Sequence, residues 1–197
     1  MIVDERIITF INSLDTKNSE ILEDIEREAL ADNVPIIRRE MQSFLKVLLM
    51  VKKPMRVLEV GTAVGFSALL MSDYLPEGGH ITTIENYEKR IPIARENFRR
   101  AGKEDKITLI EGDATEVLAE MEGTFDFIFM DPPYRMDLPK KVLEALKDTC
   151  LADEETLIIA EEALDVDFSW AGALGYEIVK IKEYKTNKHV FLKIKEV

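Results

Sequence analysis

From Met55 onward the chain alternates short apolar runs with amphipathic stretches, and no other feature restricts its fold as much. The apolar runs fall at residues 56–60, 80–84, 106–110, 125–130 and 156–160, each too short for a helix. Between them, residues 66–74, 88–101, 114–121 and 140–149 carry apolar side chains at helical spacing. Such alternation predicts a parallel sheet with helices packed on both faces. The ending departs from it: residues 176–184 and 189–194 are strand-like and are joined by Lys185-Thr186-Asn187-Lys188. That spacing suits a hairpin, which adds an antiparallel pair to the sheet. The expected class is therefore α/β, a doubly wound, mostly parallel seven-stranded sheet with an antiparallel C-terminal hairpin.

The first 50 residues read as helices. Ile7, Ile8, Phe10, Ile11 and Leu14 recur at helical spacing, and Ile21, Ile25 and Leu30 do so more loosely. Phe44, Leu45, Leu48 and Leu49 predict a third helix after Asn33-Val34-Pro35, closed by Lys52-Lys53-Pro54. With 197 residues, 46% of them hydrophobic, the chain is expected to form one domain over residues 1–197. Residues 1–53 are its helical N-terminal segment and 54–197 its α/β core. No run reaches the roughly 18 apolar residues that span a bilayer. Residues 1–10 carry Asp4, Glu5 and Arg6 rather than a signal-peptide pattern, and the single Cys150 has no partner for an internal disulfide. A cytoplasmic protein with no membrane partner is the expectation.

The formal net charge of −12 argues against a surface that grips nucleic acid broadly through phosphates, so any RNA contact needs a local patch. Residues 151–175 hold seven acidic and no basic side chains, whereas residues 176–197 hold six Lys against three Glu. The plain reading is a solvated acidic face followed by a Lys-edged strand pair. The functional reading makes the cluster from Lys180 to Lys188 an RNA-contacting patch, with Arg38 and Arg39 as a second.

In open α/β sheets ligands collect at the carboxyl ends of the strands. After the first strand comes Glu59-Val60-Gly61-Thr62-Ala63-Val64-Gly65-Phe66-Ser67. Its two glycines permit a tight turn and close approach of a ligand to the helix that follows, although the dinucleotide spacing is absent. The second strand ends in Ile84-Glu85, where a carboxylate can accept both hydroxyls of a ribose or simply face solvent. The third ends in Glu111-Gly112-Asp113-Ala114; Asp113 can accept from an adenine amino group or merely cap the next helix. The fourth ends in Asp131-Pro132-Pro133-Tyr134, whose prolines fix a rigid extended loop.

Taken in order, these four strand ends resemble the class I S-adenosylmethionine-dependent methyltransferases with their Rossmann-like sheet, over residues 54–197. The resemblance implies that Glu59, Gly61 and Gly65 border the methionine part of the cofactor, Glu85 its ribose, and Asp113 with Ala114 its adenine. Thr62, Ser67 and Asp131 belong to the same cofactor set. From Asn33-Val34-Pro35-Ile36-Ile37 to Asp131 the chain resembles bacterial relatives of catechol and caffeoyl-CoA O-methyltransferases, some of which methylate 5-hydroxyuridine in tRNA. From Asp131-Pro132-Pro133-Tyr134 to Lys185-Thr186-Asn187-Lys188-His189-Val190-Phe191 it resembles bacterial 16S rRNA guanine-N2 methyltransferases. A join of two families near Asp131 is the expectation.

The two resemblances imply different chemistry. The O-methyltransferases activate a hydroxyl with a divalent metal, held by an Asp after strand four and an Asp-Asn pair after strand five. Asp131 matches the first ligand, but Ala160-Glu161-Glu162 stands where Ala-Asp-Asn would be. Asp131, Glu161 and Glu162 could still hold Mg²⁺ through oxygen, and a site without metal is the expectation set against this. Asp-Pro-Pro-Tyr suits an exocyclic amine instead: Asp131 and the Pro132 carbonyl would accept from it, Pro133 stiffens the loop, and Tyr134 would stack on an unstacked base.

The reading from sequence is thus a methyltransferase whose catalytic site is Asp131, Pro132, Pro133 and Tyr134, with S-adenosylmethionine as cofactor and a base in rRNA or tRNA as substrate. One alternative is metal-assisted O-methylation of tRNA 5-hydroxyuridine or a small catechol-like hydroxyl. Another is a cofactor-binding scaffold with little turnover. In the O-methyltransferase relatives the N-terminal helices cover the acceptor site or form a homodimer, and periodicity leaves both open. His80 and His189, placed at strand edges, read as structural, and Phe168 and Trp170 as packing against the sheet.

Overall fold

The computed structural model describes residues 16–195; the helix expected around Ile7 to Leu14 lies outside them. Two helices come first, α1 (Glu20–Ala31) and α2 (Arg39–Lys52). The second stops where Lys53 turns left-handed (φ 51°) ahead of Pro54, which disfavours a helical residue before it. Five parallel strands then alternate with helices: β1 (Arg56–Val60), α3 (Phe66–Ser72), β2 (His80–Glu85), α4 (Ile91–Arg100), β3 (Ile107–Glu111), α5 (Ala114–Glu120), β4 (Phe127–Met130), α6 (Leu138–Lys147) and β5 (Leu157–Ala163). A 3₁₀ turn (Ser169–Leu174) leads into the hairpin β6 (Tyr176–Glu183) and β7 (Asn187–Ile194).

The sheet order is β3-β2-β1-β4-β5-β7-β6, with β5–β7 and β7–β6 antiparallel. The expected α/β class with its C-terminal hairpin is what forms. Strand side chains alternate between two cores. Phe127, Phe129, Val57, Ile159 and Phe191 face a layer built with α1 to α4. Ile128, Met130, Leu58, Ile158, Val190 and Leu192 face the layer of α5, α6 and the 3₁₀ turn. The central strands are buried on both sides, which is why they read as near-continuous apolar runs. Asp126 pins the start of β1 by accepting from the Met55 and Arg56 amides at 2.7 and 2.8 Å.

Two placements differ from expectation. The fifth strand runs on through Glu161, Glu162 and Ala163, because β7 offers a ladder to each: His189, Lys188 and Asn187 are their partners. The hairpin also inserts its second strand, β7, beside β5, so β6 is the sheet edge. His189 is therefore an interior residue, 1% exposed, rather than an edge residue. Among the described residues no helix is long and apolar enough to cross a membrane.

Candidate active site

The strand order reverses between β1 and β4, so the chain leaves that point in opposite directions and a crevice opens at their carboxyl ends. A cavity of about 490 Å³ lies there. Gly61 and Thr62 form one wall, the loop from Asp131 to Tyr134 another, and Pro35, Ile36, Ile37 and Arg38 close a side.

The first wall depends on missing side chains. Gly61 has φ +102°, and a Cβ there would stand 2.9 Å from the Asp131 carbonyl oxygen. Gly65 has φ +83°, and a Cβ would run into the Phe98 ring at 2.4 Å. Both glycines are required by conformation and by space. The turn between them is tied down by Ala63, whose amide donates to Glu85 Oε2 at 2.7 Å.

Behind this wall Glu59 is fully buried and accepts from the Ser67 and Thr83 hydroxyls. Burial pushes its carboxyl up to about 7, against the pull of those two hydrogen bonds. Ser67 and Thr62 line the cavity, and Glu59 and Gly65 do not. Glu85 Oε1 accepts from the Asn86 and Tyr87 amides, so that buried carboxylate shapes the β2 end. Asp113 caps α5: the Thr115 hydroxyl and amide both donate to it and hold its carboxyl below the usual range. Ala114 packs in the core beside it. Neither Glu85, Asp113 nor Ala114 lines the cavity.

Beside the glycine turn the cavity is also lined by Asp131, Tyr134 and Glu161. The Glu161 carboxylate accepts from three side chains, the Tyr134 phenol, Asn187 Nδ2 and His189 Nε2, the last at 2.8 Å. Burial alone would push its pKa up; the three hydrogen bonds outweigh that and hold it below the usual range. An ionised carboxylate only accepts, so His189 Nε2 carries a proton. Burial and the Glu161 charge push the Tyr134 phenol far above its ordinary value, so it remains a donor. Asp131 has no such support. Among the described residues nothing donates to its carboxylate, and burial, then Glu161, Glu59 and Glu162, push it well above the normal carboxylate range.

The three carboxylates considered for Mg²⁺ do not converge. Glu161 and Glu162 are successive residues inside β5, and successive strand residues point to opposite faces. Glu162 Oε1 accepts from the Arg135 and Ala163 amides. Among the described residues no group of three His, Cys, Asp or Glu side chains is placed to hold a metal. Continuing the strand past Ala160 separates Glu161 from Glu162, where a loop would have let them gather with Asp131.

Asn187 and His189 were the site residues that local reasoning missed, because only the β5–β7 register lays them against Glu161. The hairpin spacing was the available signal. The lysine patch is also reduced. Lys188 is buried and donates to the Leu164 and Val166 carbonyls, and Lys182 lies over the Tyr184 ring. Trp170 stacks on Phe168 with centroids 5.1 Å apart and donates to Asp167, as a packing residue does.

Residues 12–157 match the family model described as O-methyltransferase. The chain belongs to the O-methyltransferase family. The match runs through Asp131 without interruption, so a join of two families at that point finds no support. Among curated relatives, a catechol O-methyltransferase of Niastella koreensis is 34% identical over 98 residues, 46% of this chain and 44% of that protein. A caffeoyl-CoA O-methyltransferase of Populus kitakamiensis is 38% identical over 93 residues, 45% of this chain and 40% of that protein. The chain thus spans under half the length of these relatives. Among solved structures, the Bacillus cereus O-methyltransferase in complex with SAH superposes with TM-score 0.77 at 20% identity, over 96% of this chain and 97% of that one. TomG of Streptomyces achromogenes, in complex with SAM, gives 0.78 at 19% identity over the whole of both chains. This O-methyltransferase family member therefore has the methyltransferase sheet over essentially its full described length.

Proposed function

We propose that this protein is an S-adenosylmethionine-dependent O-methyltransferase acting on a hydroxyl of a small aromatic molecule. The observation that carries the reading is the Asp131 carboxylate, which lines the cavity beside the glycine turn with no donor of its own. It is free to take a proton from an acceptor held there. The family match and the small-molecule relatives favour this alternative over methylation of an RNA base.

The residues present suit the cofactor. The glycine turn leaves backbone exposed where a Cβ would intrude, and Glu85 Oε2 takes one amide and keeps a lone pair for a ribose hydroxyl. Asp131 and Glu161 make part of the lining acidic, which favours a sulfonium cation over its neutral product. When bound, the cofactor supplies an electrophilic methyl group. The chain supplies alignment: the turn from Gly61 to Ser67 orients one reactant, and the rigid Asp131-Pro132-Pro133-Tyr134 loop holds the other. Isothermal titration with S-adenosylmethionine and S-adenosylhomocysteine, followed by labelled methyl transfer to catechol, caffeoyl-CoA and bulk RNA, tests the proposal. Label in the small phenols is expected; label confined to RNA would overturn it.

A further inference from the structure

Beside Asp131, the Glu161 carboxylate and one oxygen of Glu162 are already committed to protein donors. Glu161 accepts from Tyr134, Asn187 and His189, and Glu162 Oε1 accepts from two backbone amides. A divalent cation bound by Glu161 would have to displace hydrogen bonds from three side chains in a buried site, each costly to leave unmade. The Asp131 carboxylate and Glu162 Oε2 remain without a donor, but among the described residues no three such side chains gather to hold a metal, so the oxygens left over make a poor cage for a hard cation that prefers several. We infer that the acceptor end of this cavity works without a divalent cation, and that it takes phenols bearing a single hydroxyl as readily as their vicinal diols. The inference rests on the methyl-transfer reading above for its chemistry.

A metal-held acceptor needs two adjacent oxygens, because it is the chelate that fixes the ring and acidifies the hydroxyl. An acceptor fixed by protein needs only one. Here the ring would lie between the aliphatic side formed by Pro35, Ile36 and Ile37 and the Pro132-Pro133-Tyr134 loop. The phenolic proton passes to the Asp131 carboxylate, and the oxygen lone pair forms the bond to the methyl carbon. The carbon–sulfur bond breaks with its electron pair left on sulfur, which turns the sulfonium into a thioether. Asp131 then returns the proton to water. Neither a second acceptor oxygen nor a Lewis acid enters the balance. A carboxylate is a base suited to a phenolic proton and not to that of an aliphatic alcohol, a far weaker acid.

The test uses the full chain with S-adenosylhomocysteine bound and titrates Mn²⁺ while free Mn²⁺ is followed by electron paramagnetic resonance. No saturable binding is expected at millimolar metal. In parallel, methyl transfer to catechol and to the corresponding mono-hydroxy ring is measured in chelator-treated buffer and with added Mg²⁺. Rates within a few-fold of each other, unchanged by chelator, support the inference. One equivalent of bound Mn²⁺ that is lost in Asp131→Asn overturns it, as does turnover restricted to catechol and abolished by chelator. If neither phenol is methylated although cofactor binds, the methyltransferase reading fails, and the Mn²⁺ titration still supports or overturns the cation-free site.

Discussion

His189 Nε2 stands 2.8 Å from Glu161 Oε2, directly across the β5–β7 ladder from it. This contact joins the antiparallel hairpin to the cavity, and with Tyr134 and Asn187 it holds the Glu161 carboxyl below the usual carboxylate range. Removing it tests how far that cluster supports the fold. His189→Leu leaves Glu161 one donor short in a buried site. A loss of about 2–3 kcal/mol in unfolding free energy is expected by urea denaturation, with His189→Gln, which keeps an N–H, recovering part of it. Equal stability of the Leu variant and the wild type would show that the cluster does not hold the sheet together.

Gly61→Ala probes the other wall. Its Cβ would meet the Asp131 carbonyl at 2.9 Å, and φ +102° is strained for any L side chain. A cost of about 1–3 kcal/mol is expected from the backbone alone. Since β1 and β4 must move apart to admit the methyl group, S-adenosylhomocysteine affinity should fall together with the melting temperature. Titration calorimetry on the folded variant reads the first, and a thermal melt the second.

Asp131→Asn keeps the shape of the loop and removes the proton acceptor. Turnover is expected to fall about 100-fold or more while S-adenosylhomocysteine still binds. In the wild type, kcat/KM should rise with pH and level off. Asp131 must lose its proton to act, and its surroundings hold that proton to a higher pH than an ordinary carboxyl would. A profile flat from pH 5 to 9 would remove Asp131 from the mechanism.

Glu59 makes a pH-dependent prediction for stability. Its folded value of about 7 lies above the unfolded value, so its contribution is complete below roughly pH 4.5 and is lost as pH rises through 7. Glu59→Gln cannot ionise and escapes that loss. Between pH 5 and pH 8 the unfolding free energy of the variant should therefore gain on the wild type, by up to about 3 kcal/mol. Parallel pH curves for the two proteins would show that Glu59 is solvated in the folded state.

The repeating strands and helices were legible because each obeys a local period. The runs from Arg56 to Val60 and from Phe127 to Met130 are buried on both faces, so their composition alone marks them as central strands. Gly61 and Gly65 announced a turn, and Asp131-Pro132-Pro133-Tyr134 a rigid loop, because those residue types restrict or free the backbone whatever surrounds them. The roles of Glu161, Glu162, Asn187 and His189 were not legible. They depend on where β5 stops and on which hairpin strand lies beside it, and a ladder between residues 26 or 28 positions apart leaves no local signature. Sequence by itself determined the α/β class and the turn and loop that line the cavity, since backbone preference and hydrophobic period act over neighbouring residues. Only the tertiary structure decided that Asp113 caps a helix, that Glu162 turns away from Glu161, and that Asp131 accepts from no protein donor. Those outcomes follow from sheet register and from competition among buried donors, which operate between residues far apart in the chain.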